Sequence, residues 1–372
     1  MSLCALAMGF ALHAHAVVDP IEAPAVPMPK AAHTLLLGVA KAGTRLVAVG
    51  QYGIVVYSDD QGKNWQQAKV PVQLTLTDLF FVDDKTGWAV GDAAVILKTV
   101  DGGATWEKQH DGLMPNSVAS QLVAEGQKKI DEAQAALDQA DPNDEAARAE
   151  LDERLFQAED RIQALKKASN SPLLNVWFRD QSEGFAVGSY AQFYHTADGG
   201  KTWESWAHKL QNAENHNYDI WGDGSGLMLI VGETGNIFRS TDHGATWQTI
   251  PKVSPRSLYS IVPDVARKRL YITGMVGQVA YSDDQGGSWT AMPTHTEFSV
   301  QNGLIGADGK PVFIGNNGLF ITEKSDGSGL GVYLRDDRVH MANIIDAGDG
   351  NFLTVGFAGV KRISPKGLDL PH

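Results

Sequence analysis

A five-residue phrase ending in glycine recurs seven times and limits the folds open to this chain. The copies are Leu46-Val-Ala-Val-Gly50, Gly87-Trp-Ala-Val-Gly91, Gly184-Phe-Ala-Val-Gly188, Met228-Leu-Ile-Val-Gly232, Leu270-Tyr-Ile-Thr-Gly274, Pro311-Val-Phe-Ile-Gly315 and Phe352-Leu-Thr-Val-Gly356. Their closing glycines stand 41, 97, 44, 42, 41 and 41 residues apart. One period, stretched once, marks an array of like units. In each unit a short apolar stretch precedes the phrase, as in Leu79-Phe-Phe-Val82. A tight turn follows, then a stretch such as Gly53-Ile-Val-Val-Tyr57, then a polar hairpin and a last short strand. Four short strands per unit make a propeller blade, whereas solenoid units of similar length are helical. The expected fold is all-β, a seven-bladed β-propeller over residues 31–372.

The polar hairpin has its own pattern, Ser/Thr-x-Asp-x-Gly-x-x-Trp. Its five copies end at Trp65, Trp106, Trp203, Trp247 and Trp289, with Asp60, Asp101, Asp198, Asp242 and Asp284 in the turn. The carboxylate can accept backbone N–H groups across the loop, glycine supplies a positive φ, and the indole buries beside the blade. This is the Asp box. The sixth and seventh repeats lack it, and the seventh ends early at Arg362-Ile363. Residues 17–30 are placed to supply the missing strand as an N-terminal closing strand. Pro20, Pro24, Pro27 and Pro29 would confine that strand to an edge.

Residues 116–170 break the period between blades 2 and 3. Val123, Ile130 and Leu137 fall seven apart, and Leu151, Leu155, Ala158, Ile162 and Leu165 alternate four and three. Asp141-Pro142-Asn143-Asp144 stands between the two runs, with Asp141 as N-cap and Pro142 opening the second helix. The expected insertion is an antiparallel α-helical hairpin with a coiled-coil seam. It carries twelve acids and seven bases, so it holds −5 of the chain's −13 net charge. Such an arm serves either to engage a partner, the preferred reading, or as a decoration packed on the propeller.

That −13 balance excludes a backbone-reading nucleic-acid binder, which needs a basic surface to release counterions. Residues 1–12 are apolar and uncharged, and Ala14-His15-Ala16 follows as a small-x-small cleavage site. Residues 1–16 are therefore expected to be a signal peptide, with a short membrane anchor as the alternative. Cys4 is the single cysteine and lies in this segment, so disulfides and thiolate metal sites are not expected. The expected product is an exported periplasmic protein with no direct membrane insertion after cleavage.

Two sets of positions are candidate binding residues. The first occupies the turns between second and third strands, including Tyr52, Tyr190, Glu233, Asn316 and Phe357. Large aromatics at tight turns suggest a contact surface, since interfaces concentrate such residues. The second opens the innermost strands: Thr34, Asp78, Asn175, Asp219, Ser260, Asn302 and Asn343. These would rim the central channel on the same face as the hairpin. Alternatively, they bond to the neighbouring blade's backbone, as Asp and Asn at strand openings do.

Catalysis finds little support. A sialidase-like site needs an arginine cluster and an Arg-Ile-Pro motif, and only Arg161-Ile-Gln and Arg362-Ile-Ser come near it. A glycosidase needs two carboxylates flanking a cleft, for which Asp78 and Asp219 are the candidates. No phosphate loop, nucleophile elbow or strong metal motif occurs, so no enzyme activity, cofactor or metal is expected.

The run Asp78-Leu-Phe-Phe-Val-Asp83, Gly87-Trp-Ala-Val-Gly91 and Lys98-Thr-Val-Asp-Gly-Gly-Ala-Thr-Trp106 resembles the photosystem II stability/assembly factor family of seven-bladed propellers. The likeness runs from about residue 31 to 363, and the helical insertion departs from it. The resemblance implies a periplasmic accessory or assembly protein for a membrane complex, an RND/MMPL-type transporter in the proteobacterial branch. A photosystem II assembly factor and an Asp-box glycoside hydrolase remain the alternatives.

Overall fold

The computed structural model describes residues 19–113, 118–142, 144–169, 171–210, 212, 215–324 and 326–370. The expected signal peptide lies outside these residues. Seven antiparallel sheets follow one another along the chain, six with four strands and the last with three. In blade 1 the strands are Leu36–Ala42, Arg45–Gly50, Val55–Ser58 and Gln66–Gln67. In blade 7 they are Met341–Asp346, Phe352–Gly356 and Gly359–Ile363. Each innermost strand packs on its neighbours, and that of blade 7 packs on that of blade 1, which closes the ring. The chain is a seven-bladed β-propeller with an inserted α-helical hairpin.

The repeated phrase forms the second strand, whose five residues are fully buried in blades 2, 3, 4, 6 and 7. Apolar side chains on both faces of that strand build the cores between blades. Leu46, Val56, Leu353 and Val355 seal the junction of blades 7 and 1. The closing glycine is explained by space. A Cβ on Gly50 would stand 2.1 Å from the carbonyl oxygen of Leu35, and one on Gly315 would stand 2.0 Å from that of Ser299. A side chain there would drive the strand off its neighbour.

In each Asp box the carboxylate is satisfied within its own turn. In blade 2 Oδ1 of Asp101 accepts the N–H groups of Ala104 and Thr105 at 3.0 and 2.9 Å, and Oδ2 accepts the Thr105 hydroxyl at 2.6 Å. The Trp106 indole donates to the Gly103 carbonyl at 3.0 Å. These bonds hold the Asp101 carboxyl below its usual range against the opposing effect of burial. For Asp60, bonds from Asn64 bring it down to about 2.

The N-terminal segment does not close the ring as expected. It runs as a strap along the outer edge of blades 1 and 2, where Ala25 N–H donates to Val70 and Gln73 N–H to Pro20, at 2.9 and 2.7 Å. Lys108 also pairs with Glu22 at 2.6 Å. The prolines suit this strap, because it borrows side chains and isolated carbonyls rather than a continuous ladder. Beside the third strand of blade 7 stands the C-terminal tail instead. Ile363 bridges to Asp369, and Leu370 N–H donates to Arg362 at 3.0 Å.

The insertion forms helices α1 (Val118–Gln139) and α2 (Glu145–Ser169), packed on each other. Leu137 and Ile162 are buried, and Gly126 lies so close to Ile162 that a Cβ would meet its Cγ1 at 2.8 Å. The second helix begins later than expected. Asp144, not Asp141, is the cap, accepting Ala147 N–H at 3.0 Å. Among the described residues no helix is long and apolar enough to cross a membrane.

Candidate functional site

The hairpin leaves from the face that carries the turns between second and third strands. Its base is stitched to the turn of blade 2, with Ala94 N–H donating to Ser171 at 3.1 Å and Gly112 N–H to Ala93 at 2.8 Å. These turns share an unusual backbone. Tyr52, Ala93, Tyr190, Thr234, Val276 and Asn317 all have φ between 54° and 58°, the left-handed region. For β-branched Thr234 and Val276 that conformation is strained. The turns hold large side chains outward: Tyr52 is 61% exposed and Phe357 67%. Phe357 leans on His340 at 4.8 Å between ring centroids.

A second feature of this face follows from register. Every innermost strand has a bulge two residues in, between Leu76 and Asp78 in blade 2 and between Asn217 and Asp219 in blade 4. The bulged residues Tyr218 and Tyr259 turn toward this face. Tyr190, His216, Tyr218 and Tyr259 form a row of rings across blades 3, 4 and 5, with successive centroids 5.1, 6.0 and 5.3 Å apart and planes nearly perpendicular. Edge-to-face contact is the arrangement ring quadrupoles favour. Glu233 borders the row, its Oε2 accepting the His216 N–H at 3.1 Å. Burial, then the Glu233 charge, pushes the Tyr218 hydroxyl upward. Asn316 accepts from the bulged Gln301 at 3.1 Å in blade 6.

One step further along each inner strand stands the channel ring. Register places Gly38, Asp78, Asn175, Asp219, Ser260, Asn302 and Asn343 at equivalent positions. Thr34 does not belong to it; Gly38 does, and a Cβ there would meet Asp78 Cα at 2.9 Å. The bulge and a shorter lead-in to blade 1 displaced the count made along the sequence.

The ring spends its polar groups on the framework. Asn175 donates to Asp78 Oδ2 at 2.9 Å and Asp219 Oδ2 accepts the N–H of Ile261 at 2.7 Å, each bond crossing to another blade. Ser260 donates to Asn302 at 3.3 Å, while Asn302 and Asn343 also accept the N–H of the following residue. Burial raises the Asp78 carboxyl well above its usual range, helped by the nearby Asp219 charge. Burial likewise raises Asp219, to about 6, against the pull of its hydrogen bonds. Both residues keep some solvent exposure. Here both are framework ties, and no cluster of three metal-holding side chains occurs among the described residues.

The candidates thus fall into two groups. Tyr190 and Glu233 come together on adjacent blades, and Tyr52 and Phe357 crown the first and last. Asp78, Asn175, Asp219, Asn302 and Asn343 share the channel wall beneath. Tyr218 and Tyr259 were missed along the sequence. Superposing the repeats would have found the two tyrosines, each standing immediately before a ring residue.

Fold and surface define an Asp-box propeller whose channel polar groups tie its own frame and which carries exposed Tyr52 and Phe357 on the face of the hairpin. The chain belongs to the family described as photosynthesis system II assembly factor YCF48, whose model matches residues 57–169 and 156–336. It is similar to the photosystem II assembly protein Ycf48 of Thermosynechococcus vestitus, 27% identical over 203 residues, 53% of each chain. It is also similar to the photosystem II assembly lipoprotein Ycf48 of Synechococcus sp. (strain CC9902), at 28% over 203 residues, 53% of this chain and 56% of that one. The chain spans about half the length of the curated relatives it matches. A solved structure, YCF48 bound to D1 peptide, shares the fold with a TM-score of 0.60 and 15% identity, over 93% of this chain and 97% of that one.

Proposed function

We propose that this chain is a non-catalytic, exported assembly factor that holds a segment of a membrane protein while that protein is built into a larger complex. The observation that carries the reading is membership of the YCF48 family, one solved member of which holds a D1 peptide. The photosystem II alternative therefore draws support that the transporter-accessory expectation does not. The lipoprotein relatives favour a protein working outside the cytoplasm, with the periplasm as the proposed compartment. The proposed contact is the face bearing α1, α2 and the row from Tyr190 to Tyr259, with Tyr52 and Phe357 at its edge. Aromatic side chains braced against one another, as in the row from Tyr190 to Tyr259, give contact area at small entropic cost.

The test is binding of the full chain to overlapping peptides of the D1 protein, read by fluorescence anisotropy. Saturable binding that weakens in the doubly substituted Tyr52→Ser, Phe357→Ser chain is the expected result. No binding by any peptide would rule out this client, and binding unaffected by the double substitution would rule out this face.

A further inference from the structure

A cleft of about 430 Å³ opens at the junction of blades 7 and 1, between the N-terminal strap and the box hairpin of blade 1. That size falls within the range of ligand pockets, about 300–1,000 Å³. Met28, Val56, Val360 and the half-buried ring of Trp65 give it apolar walls. These walls are fixed in place. Trp65 donates its indole N–H to Gly62 at 3.0 Å. Gln67 ties down the strap, accepting the Met28 N–H at 2.7 Å and donating to the Val26 carbonyl at 2.9 Å.

Charge sets the cleft apart. Lys30 and Lys63 stand exposed on its rim, and no Asp or Glu lines it. Several bases of blades 7 and 1 are matched to a carboxylate: Lys41 to Asp346, Arg45 to Asp59, Lys361 to Asp337 and Arg362 to Asp349. Among the described residues, Lys30 and Lys63 have no such partner. On a chain of net charge −13, a cleft lined by two unmatched lysines and an indole, with no Asp or Glu in its lining, selects for an anion with apolar surface.

We propose that this cleft is a second docking site, taking an extended acidic peptide segment of a partner. An apolar side chain rests on Trp65 and a flanking carboxylate meets Lys30 and Lys63. The site shares no residue with the aromatic face, so either reading can fail alone. A peptide is favoured over a lipid headgroup because the apolar walls form a bounded cleft rather than an open insertion surface. Rim charges act mainly through the association rate, so binding weakens with salt.

The test uses the full chain and a fluorescein-labelled peptide, Leu-Glu-Leu-Glu-Leu-Glu, with its Leu-Lys counterpart, by anisotropy at low salt. The expected result is saturable binding of the acidic peptide alone, weakened about tenfold or more by Lys30→Glu with Lys63→Glu. Both lysines are exposed, and near-UV circular dichroism verifies that the variant is folded. Lys85→Glu with Lys310→Glu changes the net charge equally away from the cleft and should leave most of the binding intact. Equal weakening in both double variants, or no binding of the acidic peptide, would overturn the proposal. So would a cleft-dependent attachment to phosphatidylglycerol vesicles without peptide binding, which would make the site a lipid contact.

Discussion

Asn175 of blade 3 donates from Nδ2 to Asp78 Oδ2 of blade 2 at 2.9 Å, while its own Oδ1 accepts the N–H of Ile220 in blade 4 at 3.4 Å. One amide therefore ties three blades where their inner strands meet. Asp219 makes the next tie, to blade 5. The residues that resemble a channel binding site by composition are the ring's internal fastening.

That role fixes the pH response of the channel. The Asp219 carboxyl is raised from 3.8 to about 6, so the folded state holds a proton that the unfolded state has released. Stability should fall as pH rises from about 4 to about 6 on this group's account, then level off. Asp219→Asn should flatten that part of the profile, recovering on the order of 1 kcal/mol near neutrality. Denaturant unfolding at several pH values between 4 and 8 measures it.

The Asp boxes carry the opposite sign. Asp60, Asp242 and Asp284 are each lowered to about 2, mainly by hydrogen bonds within their own turns. Their stabilisation is complete above the unfolded value near 4 and is lost as pH falls through about 2. Asp101→Ala, which leaves the Ala104 and Thr105 N–H groups without their acceptor, should cost about 1–2 kcal/mol at neutral pH. Its loss should shrink in acid, where the wild-type carboxylate is protonated too.

Gly315→Ala should be among the most damaging single substitutions, because its Cβ would stand 2.0 Å from the Ser299 carbonyl oxygen. Backbone at that distance cannot yield without moving a strand. A loss of about 3 kcal/mol or more is expected, read as a lower unfolding midpoint. Gly309→Ala makes a useful contrast, since nothing lies within 4 Å and only its positive φ of 75° opposes it.

Replacing residues 118–169 by a short Gly-Ser linker should leave the propeller folded. The two helices pack mainly on each other, and the bond from Ala94 to Ser171 lies outside the deletion. The thermal midpoint should move by no more than about 3 °C. Client binding should be lost if the arm forms part of the contact face.

Much of this was legible along the chain because its causes are local. The glycine phrase repeats because one carbonyl approaches at the same place in every blade, and the Asp box repeats because its partners lie within four residues. What was not legible depends on register or on distant partners. A bulge of one residue in each inner strand decides that Asp78 faces the channel while Thr77 does not, and it swapped Thr34 for Gly38 in the ring. The strap's path depends on Gln67, Gln73 and Lys108, which lie 39 to 87 residues from their partners and share no pattern with them. Asp144 caps α2 because the turn is longer than the Asp-Pro pair suggested.

Among the described residues, the first and last blades meet through Leu46 and Val56 against Leu353 and Val355 and through an ion pair from Lys41 to Asp346 at 3.0 Å. Among the described residues no sheet joins the first blade to the last, so the circle has a clasp but no weld. Mechanically, tension pulling the first blade from the last would load this seam first, since no described strand of one pins the other. The same seam makes the molecule nearly indifferent to where its chain begins, so blades could be renumbered by circular permutation without breaking any sheet. A propeller built this way opens most readily at the one junction that its chain does not cross.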